Sequence, residues 1–272
     1  MLKRLDVARP RSVIGWAVVC GIAAGLLAAT YGKIVGEPLV DQAIAIEESM
    51  PDDGADHTTT DMVYVSRGDQ SGPGLFAGYA LAGAASGLLL AATALSLRGP
   101  WLDPFRRIVV SGAILAGATT VVPWLKYPPN PPAVGDPDTV DTRQRLFFLL
   151  IALTGVILAG AAHLSARLRS AGWPDVRRVV VVGAAAVVAL AVLMAVMPPI
   201  DDPIPSVMPA KLIWHFRVAS LGSNLLRWGL LTVGFGLWCA ESARAAAAAR
   251  VASGAATGDQ NSMPFIADIP SS

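Results

Sequence analysis

Three carboxylates, Glu37, Asp41 and Glu48, recur at i, i+4 and i+11 in the stretch GEPLVDQAIAIEES. Leu39, Val40, Ala43 and Ile44 stand at helical spacing between them, so a helix here would put the three acids on the face opposite the apolar residues. Oxygen ligands gathered in this way could collect a divalent cation. The solvated face of a short amphipathic helix lying on a membrane is the simpler account of the same pattern. The next stretch, MPDDGADHTTTD, adds Asp52, Asp53, Asp56, Asp61 and His57. One imidazole among carboxylates makes a loose site for a first-row metal, and a flexible acidic loop explains it as well. Asp136 and Asp138 follow in KYPPNPPAVGDPDT, and Asp201 and Asp202 in PPIDDPIP. The first pair either touches metal or caps the helix that follows, because acids are favoured at helix N-termini.

Two cations stand out against this acidic background. Arg217 and Arg227 lie in IWHFRVASLGSNLLRW, inside an otherwise apolar segment. Arg217 is close enough to one end to snorkel to a membrane interface. Arg227 falls near the middle, where a charge costs at least about 2.5–3.5 kcal/mol in a bilayer. No other apolar segment supplies an acid to pair with it, so backbone carbonyls, a wet cavity or a partner must satisfy it. Ser220, Gly222, Ser223 and Asn224 mark a candidate break in the helix between the two arginines.

An enzyme reading finds little support. The three histidines, His57, His163 and His215, are far apart in sequence, and no nucleophile, phosphate loop or cofactor motif occurs. Cys20 and Cys239 have neither disulfide nor zinc spacing and read as small core residues. The expectation is a non-enzyme with no resident cofactor. A net charge of +1 gives no sign of a nucleic-acid partner.

The elements that must position these residues are membrane spans. Of the 272 residues, 54% are hydrophobic and 15% charged, against about 25% charge in a soluble domain. A spanning helix needs about 20 mostly apolar residues, and six segments qualify, at 12–35, 73–97, 106–126, 145–166, 177–197 and 213–240. The predicted fold class is all-α, a polytopic transmembrane helix bundle of six spans within residues 1–244, with 245–272 a disordered tail. The apolar run after the basic N-terminus is too long for a signal-peptide core and reads as a retained helix. Alternate connections hold 13 of the 21 Lys and Arg, which predicts both chain ends in the cytoplasm. The opposite connections hold 14 of the 20 acids. That outer face would raise the local concentration of cations.

Small residues set the expected packing. Gly21/Gly25, Gly74/Gly78 and Gly83/Gly87 are G-x-x-x-G spacings that let helices approach closely. A weak repeat relates the stretch from Arg106 to the one from Arg177, each running from basic residues to Pro-Pro, and suggests two parallel hairpins.

The blocks GEPLVDQAIAIEE, SRGDQSGPGLFAG, WLKYPPNPPAVGDPDT, PPIDDPIP and FRVASLGSNL occur in this order between the apolar segments. Together they resemble the CbtA family of probable cobalt transporter subunits, over residues 12 to 241. The resemblance implies cobalt(II) as the transported ion, a link to cobalamin biosynthesis, and a small single-span CbtB-type partner with a histidine-rich end. It also implies a histidine-rich first outer loop, where this chain has only His57. The family carries over no ligand set.

Overall fold

The computed structural model describes residues 10–50, 65–96, 103–135, 139–200 and 203–260. These residues are all helical or loop, with no strand among them. Helix α1 (Pro10–Tyr31) passes through a π turn at Gly32–Gly36 directly into α2 (Glu37–Glu48). A single turn at Arg67–Asp69 and a π turn at Gln70–Gly74 lead into α3 (Leu75–Ser96). Helix α4 (Pro104–Ala116) joins α5 (Val122–Lys126) through a third π turn, Gly117–Val121. Helices α6 (Val140–Ser170), α7 (Asp175–Val196) and α8 (Ala210–Gln260) complete the chain.

Local signals set these boundaries. Ser66 accepts from the Asp69 amide at 3.1 Å and donates to the Asp69 carboxylate at 2.7 Å. Ser66 thus caps the turn that starts here, and Gly72 and Pro73 then kink the entry to α3. Asp103 accepts from the Arg106 amide at 2.9 Å ahead of Pro104 at the start of α4. Helix α6 ends in a Schellman motif, with Gly172 at φ 79° and Trp173 N–H bonded to Leu168 O at 3.1 Å. That turn folds α7 back along α6.

Five helical stretches are long and apolar enough to cross a membrane: Ser12–Glu48, Arg67–Ser96, Pro104–Lys126, Val140–Ser170 and Asp175–Val196. They match five of the six predicted segments. The sixth segment, 213–240, lies within α8, whose arginines and asparagine lower its apolarity; α8 does not qualify on composition alone. One further expectation meets a different outcome. Helix α8 is unbroken between Arg217 and Arg227, because Ser223 and Asn224 bond back to the Ser220 carbonyl at 3.1 and 3.0 Å without displacing the backbone ladder. It continues to Gln260, through the stretch 245–260. That stretch opens with alanines, the strongest helix formers.

The main core lies where α1, α3, α4 and α8 meet, around Ala17, Leu90, Ile108, Trp228, Leu231 and Phe235. Cys20 and Cys239 are free thiols at its margin. Two of the three glycine pairs make the seam between α1 and α3. A Cβ on Gly21 would run into the Gly83 carbonyl, one on Gly25 into that of Tyr79, and one on Gly87 into that of Ala17. Gly78 has open space instead. Helices α6 and α7 form a hairpin docked on α5 through Val122, Leu150 and Met197. Helix α3 buries its small residues along α1, so the two hairpins suggested by the weak repeat are not packed alike.

Candidate functional site

Helix α2, with Glu37, Asp41 and Glu48, and Arg217 stand at one end of the bundle, the end that carries the proline-rich loop. Helix α2 is not a separate short helix. It extends α1 into a helix of 37 residues from Ser12, roughly 55 Å long at 1.5 Å per residue. That is longer than the hydrocarbon thickness of about 30 Å. The apolar side of α2 is covered by protein: Ala43, with Leu39 and Ile46, packs on Met208, Leu212 and Ile213 before and within α8 and on Val134 of the loop.

The acids of α2 divide. Arg67 donates from Nη2 to Glu37 and, at 2.8 Å, to Asp41 Oδ1, while its Nε reaches the same oxygen at 3.1 Å. Glu37 is buried in this arrangement and Asp41 is exposed. Glu48 is exposed seven residues on, about 10 Å further along the axis. Glu37 and Asp41 thus share a guanidinium, and Glu48 stands apart from both. His57, Asp136, Asp138, Asp201 and Asp202 lie outside the described residues. Among the described residues, no group of three His, Cys, Asp or Glu side chains stands close enough to hold a metal ion.

The proline-rich loop is held at several points. Ala133 takes φ 64°, a left-handed conformation that costs a residue with a Cβ, and Gly135 at φ 116° lies so close to Arg143 that a Cβ would fall 2.6 Å from Nη1. Tyr127 donates its hydroxyl to the Pro198 carbonyl at 2.7 Å, which ties this loop to the one after α7. Burial raises the Tyr127 pKa, so the phenol stays a donor at neutral pH. Asn130 Oδ1 accepts from Arg217 Nη2 at 2.7 Å. The indole of Trp124 donates to the Arg217 carbonyl at 2.9 Å.

Beneath the loop lies a cavity of about 960 Å³. Its lining brings Lys126, Arg143 and Arg217 together with Trp124, Phe147 and Thr120, and no carboxylate from the described residues lines it. Arg217 forms part of the cavity wall. Asn224 also lines the cavity and leads inward to Arg227.

Arg227 is 9% exposed and well provided with acceptors. Nη1 donates to Ser86 Oγ and, at 3.2 Å, to the Ala82 carbonyl, and Nη2 donates to Asn224 Oδ1 at 2.9 Å. Its guanidinium carbon lies 5.5 Å from the Trp228 ring centre. A backbone carbonyl satisfies it in part, as its lack of an acidic partner requires. Tyr79 extends the same network to Ser223 at 2.8 Å.

Sequence reasoning passed over Arg67, Lys126 and Arg143. The serine–aspartate capping pair around Arg67 pointed to a fixed helix start, and hence to a fixed arginine. Nothing local showed that Lys126 and Arg143 would flank Arg217, which is more than 70 residues away.

The family described as "Probable cobalt transporter subunit (CbtA)" matches residues 11–240 of the chain. No curated protein and no solved structure gives a match.

Proposed function

The chain belongs to the CbtA family of probable cobalt transporter subunits, and from that premise we propose that it is the membrane-embedded subunit of a cobalt uptake system. The family match, together with five span-length apolar helices, carries this reading. In this proposal the protein is a multi-pass protein of the cell membrane, nickel is a second cargo, and the imported metal feeds cobalamin biosynthesis. The family is one of transporter subunits rather than enzymes. A subunit implies a complex, and the proposed partner is a small single-span CbtB-type protein.

The acids act as a collecting surface. Glu37, Asp41, Glu48, His57, Asp136, Asp138, Asp201 and Asp202 are proposed to draw hydrated cobalt(II) to the outer face by their summed field. Their placement on connections at one side of the predicted topology supports this. The engagement of Glu37 and Asp41 by Arg67 favours long-range attraction there over direct ligation. The test is uptake of radiolabelled cobalt and nickel at low external metal. Deletion of the gene should lower uptake and re-expression should restore it; unchanged uptake would sink the proposal.

Arg227 favours a second reading. A fixed cation bonded across α3 and α8 opposes a divalent ion at the same depth. On this reading the chain is an accessory scaffold and its partner conducts. Cobalt flux into liposomes holding only this chain would exclude the scaffold, and flux only after the partner is added would favour it.

A further inference from the structure

The cavity under the proline-rich loop has the chemistry of an anion site. Arg217 has a neutral partner in Asn130, and no described carboxylate pairs with it. Its Nε is buried without a hydrogen-bond partner. Thr120, in the same wall, is 6% exposed, and its hydroxyl is likewise buried without a partner. A buried donor left unmade costs about 1–3 kcal/mol, and both residues belong to the cavity wall. Lys126 adds a second positive charge; its ammonium stands 5.9 Å from the Tyr127 ring centre. An oxyanion here would gain charge-assisted hydrogen bonds from Arg217. Trp124 and Phe147 offer an apolar wall to the rest of such a molecule. The volume of about 960 Å³ is at the upper end of the range for small-molecule pockets, about 300–1,000 Å³.

We propose that this cavity binds a small organic anion, whose carboxylate or phosphate oxygens accept from Arg217 and Thr120 while its apolar part lies against Trp124 and Phe147. The proposal goes beyond cobalt transport and stands whether or not the chain itself conducts metal. Two sources share this chemistry, a soluble carboxylate and the headgroup of an anionic lipid.

The test uses the full chain in nanodiscs, in metal-free buffer, with the melting temperature as readout. In phosphatidylcholine discs, citrate and benzoate are titrated at constant ionic strength. A parallel set of discs contains phosphatidylglycerol. A saturable rise with citrate or benzoate is expected if the source is soluble. A rise caused by phosphatidylglycerol that weakens the response to added citrate would identify the lipid headgroup. Either response should be weakened at least tenfold in Arg217→Gln and reduced in Thr120→Val, which keeps the side-chain shape and removes only the hydroxyl. No saturable response to any of the three probes would overturn the proposal. So would an undiminished response in both variants. Because no metal is present, failure here leaves cobalt uptake untouched, and failure of uptake leaves this result standing.

Discussion

At the level of single residues, the most demanding group is Arg227. A buried guanidinium must keep its acceptors, and here they come from two helices: Ala82 and Ser86 on α3, and Asn224 one turn back on α8. Removing an acceptor should hurt more than removing the charge, because an orphaned buried cation keeps its full desolvation cost. Asn224→Ala should therefore destabilise the protein by about 1–3 kcal/mol, and Arg227→Met by less. Thermal unfolding in detergent would compare the two; equal melting temperatures for Asn224→Ala and the parent would show that this acceptor is dispensable. The same asymmetry applies at Arg67. Arg67→Gln leaves Glu37 buried without its cation, so it should cost more than Glu37→Gln, which removes the charge that needs pairing. A larger loss in Glu37→Gln would contradict this account of the pair. The burden on Arg227 was legible in the sequence, since no apolar segment supplies an acid. Its acceptors were not, because Ala82 and Ser86 stand more than 140 residues away.

Among elements, the tightest contact is the seam of α1 and α3, where backbone meets backbone. Helix propensity alone would make Gly→Ala favourable by about 1 kcal/mol. At Gly83 that gain is overwhelmed, because a Cβ would overlap the Gly21 carbonyl. At Gly78 nothing lies within 4 Å of the same atom. Gly83→Ala should lower the melting temperature by several degrees, and Gly78→Ala should leave it unchanged or raise it; the reverse order would refute this register. The glycine spacing could be read from the sequence, but it could not say which two of three pairs are used. Only the facing helix decides that. The π turns are a related case. Each leaves a hydrophobic pattern that looks helical but turns the following residues to a new face. After Gly32–Gly36, α2 aims Leu39 and Ala43 at the start of α8 rather than at lipid. Span positions were legible because about 20 apolar residues are needed to cross. The packing at the proline-rich end was not, because it depends on contacts between α2, that loop and α8.

For the whole molecule, the open question is whether α8 crosses the membrane as a sixth span. Composition argues against it, since Arg217, Asn224 and Arg227 interrupt the apolar run. Packing argues for it. Trp228, Leu231 and Phe235 are at the centre of the main core, and Arg227 finds its partners on α3 and α8. A helix satisfied by its neighbours can cross where the same helix alone would not, because the cost of its polar groups is met by protein rather than lipid. Helix α7 is the converse, with Val179, Val187 and Val192 exposed in a strongly apolar stretch that needs only lipid. The two halves of the chain should therefore insert differently. Fused alone to a reporter, α8 should insert poorly, whereas the α6–α7 hairpin should insert well. In the full chain, reporters after residues 55, 135 and 205 should report outside, and one after 260 should report the cytoplasm. With five spans, the ends would lie on opposite sides; an outside signal at 260 beside a cytoplasmic N-terminus would rule out the six-span arrangement. A cytoplasmic signal at 135 would instead reverse the orientation and move the acidic face to the inside, taking the proposed collecting surface with it.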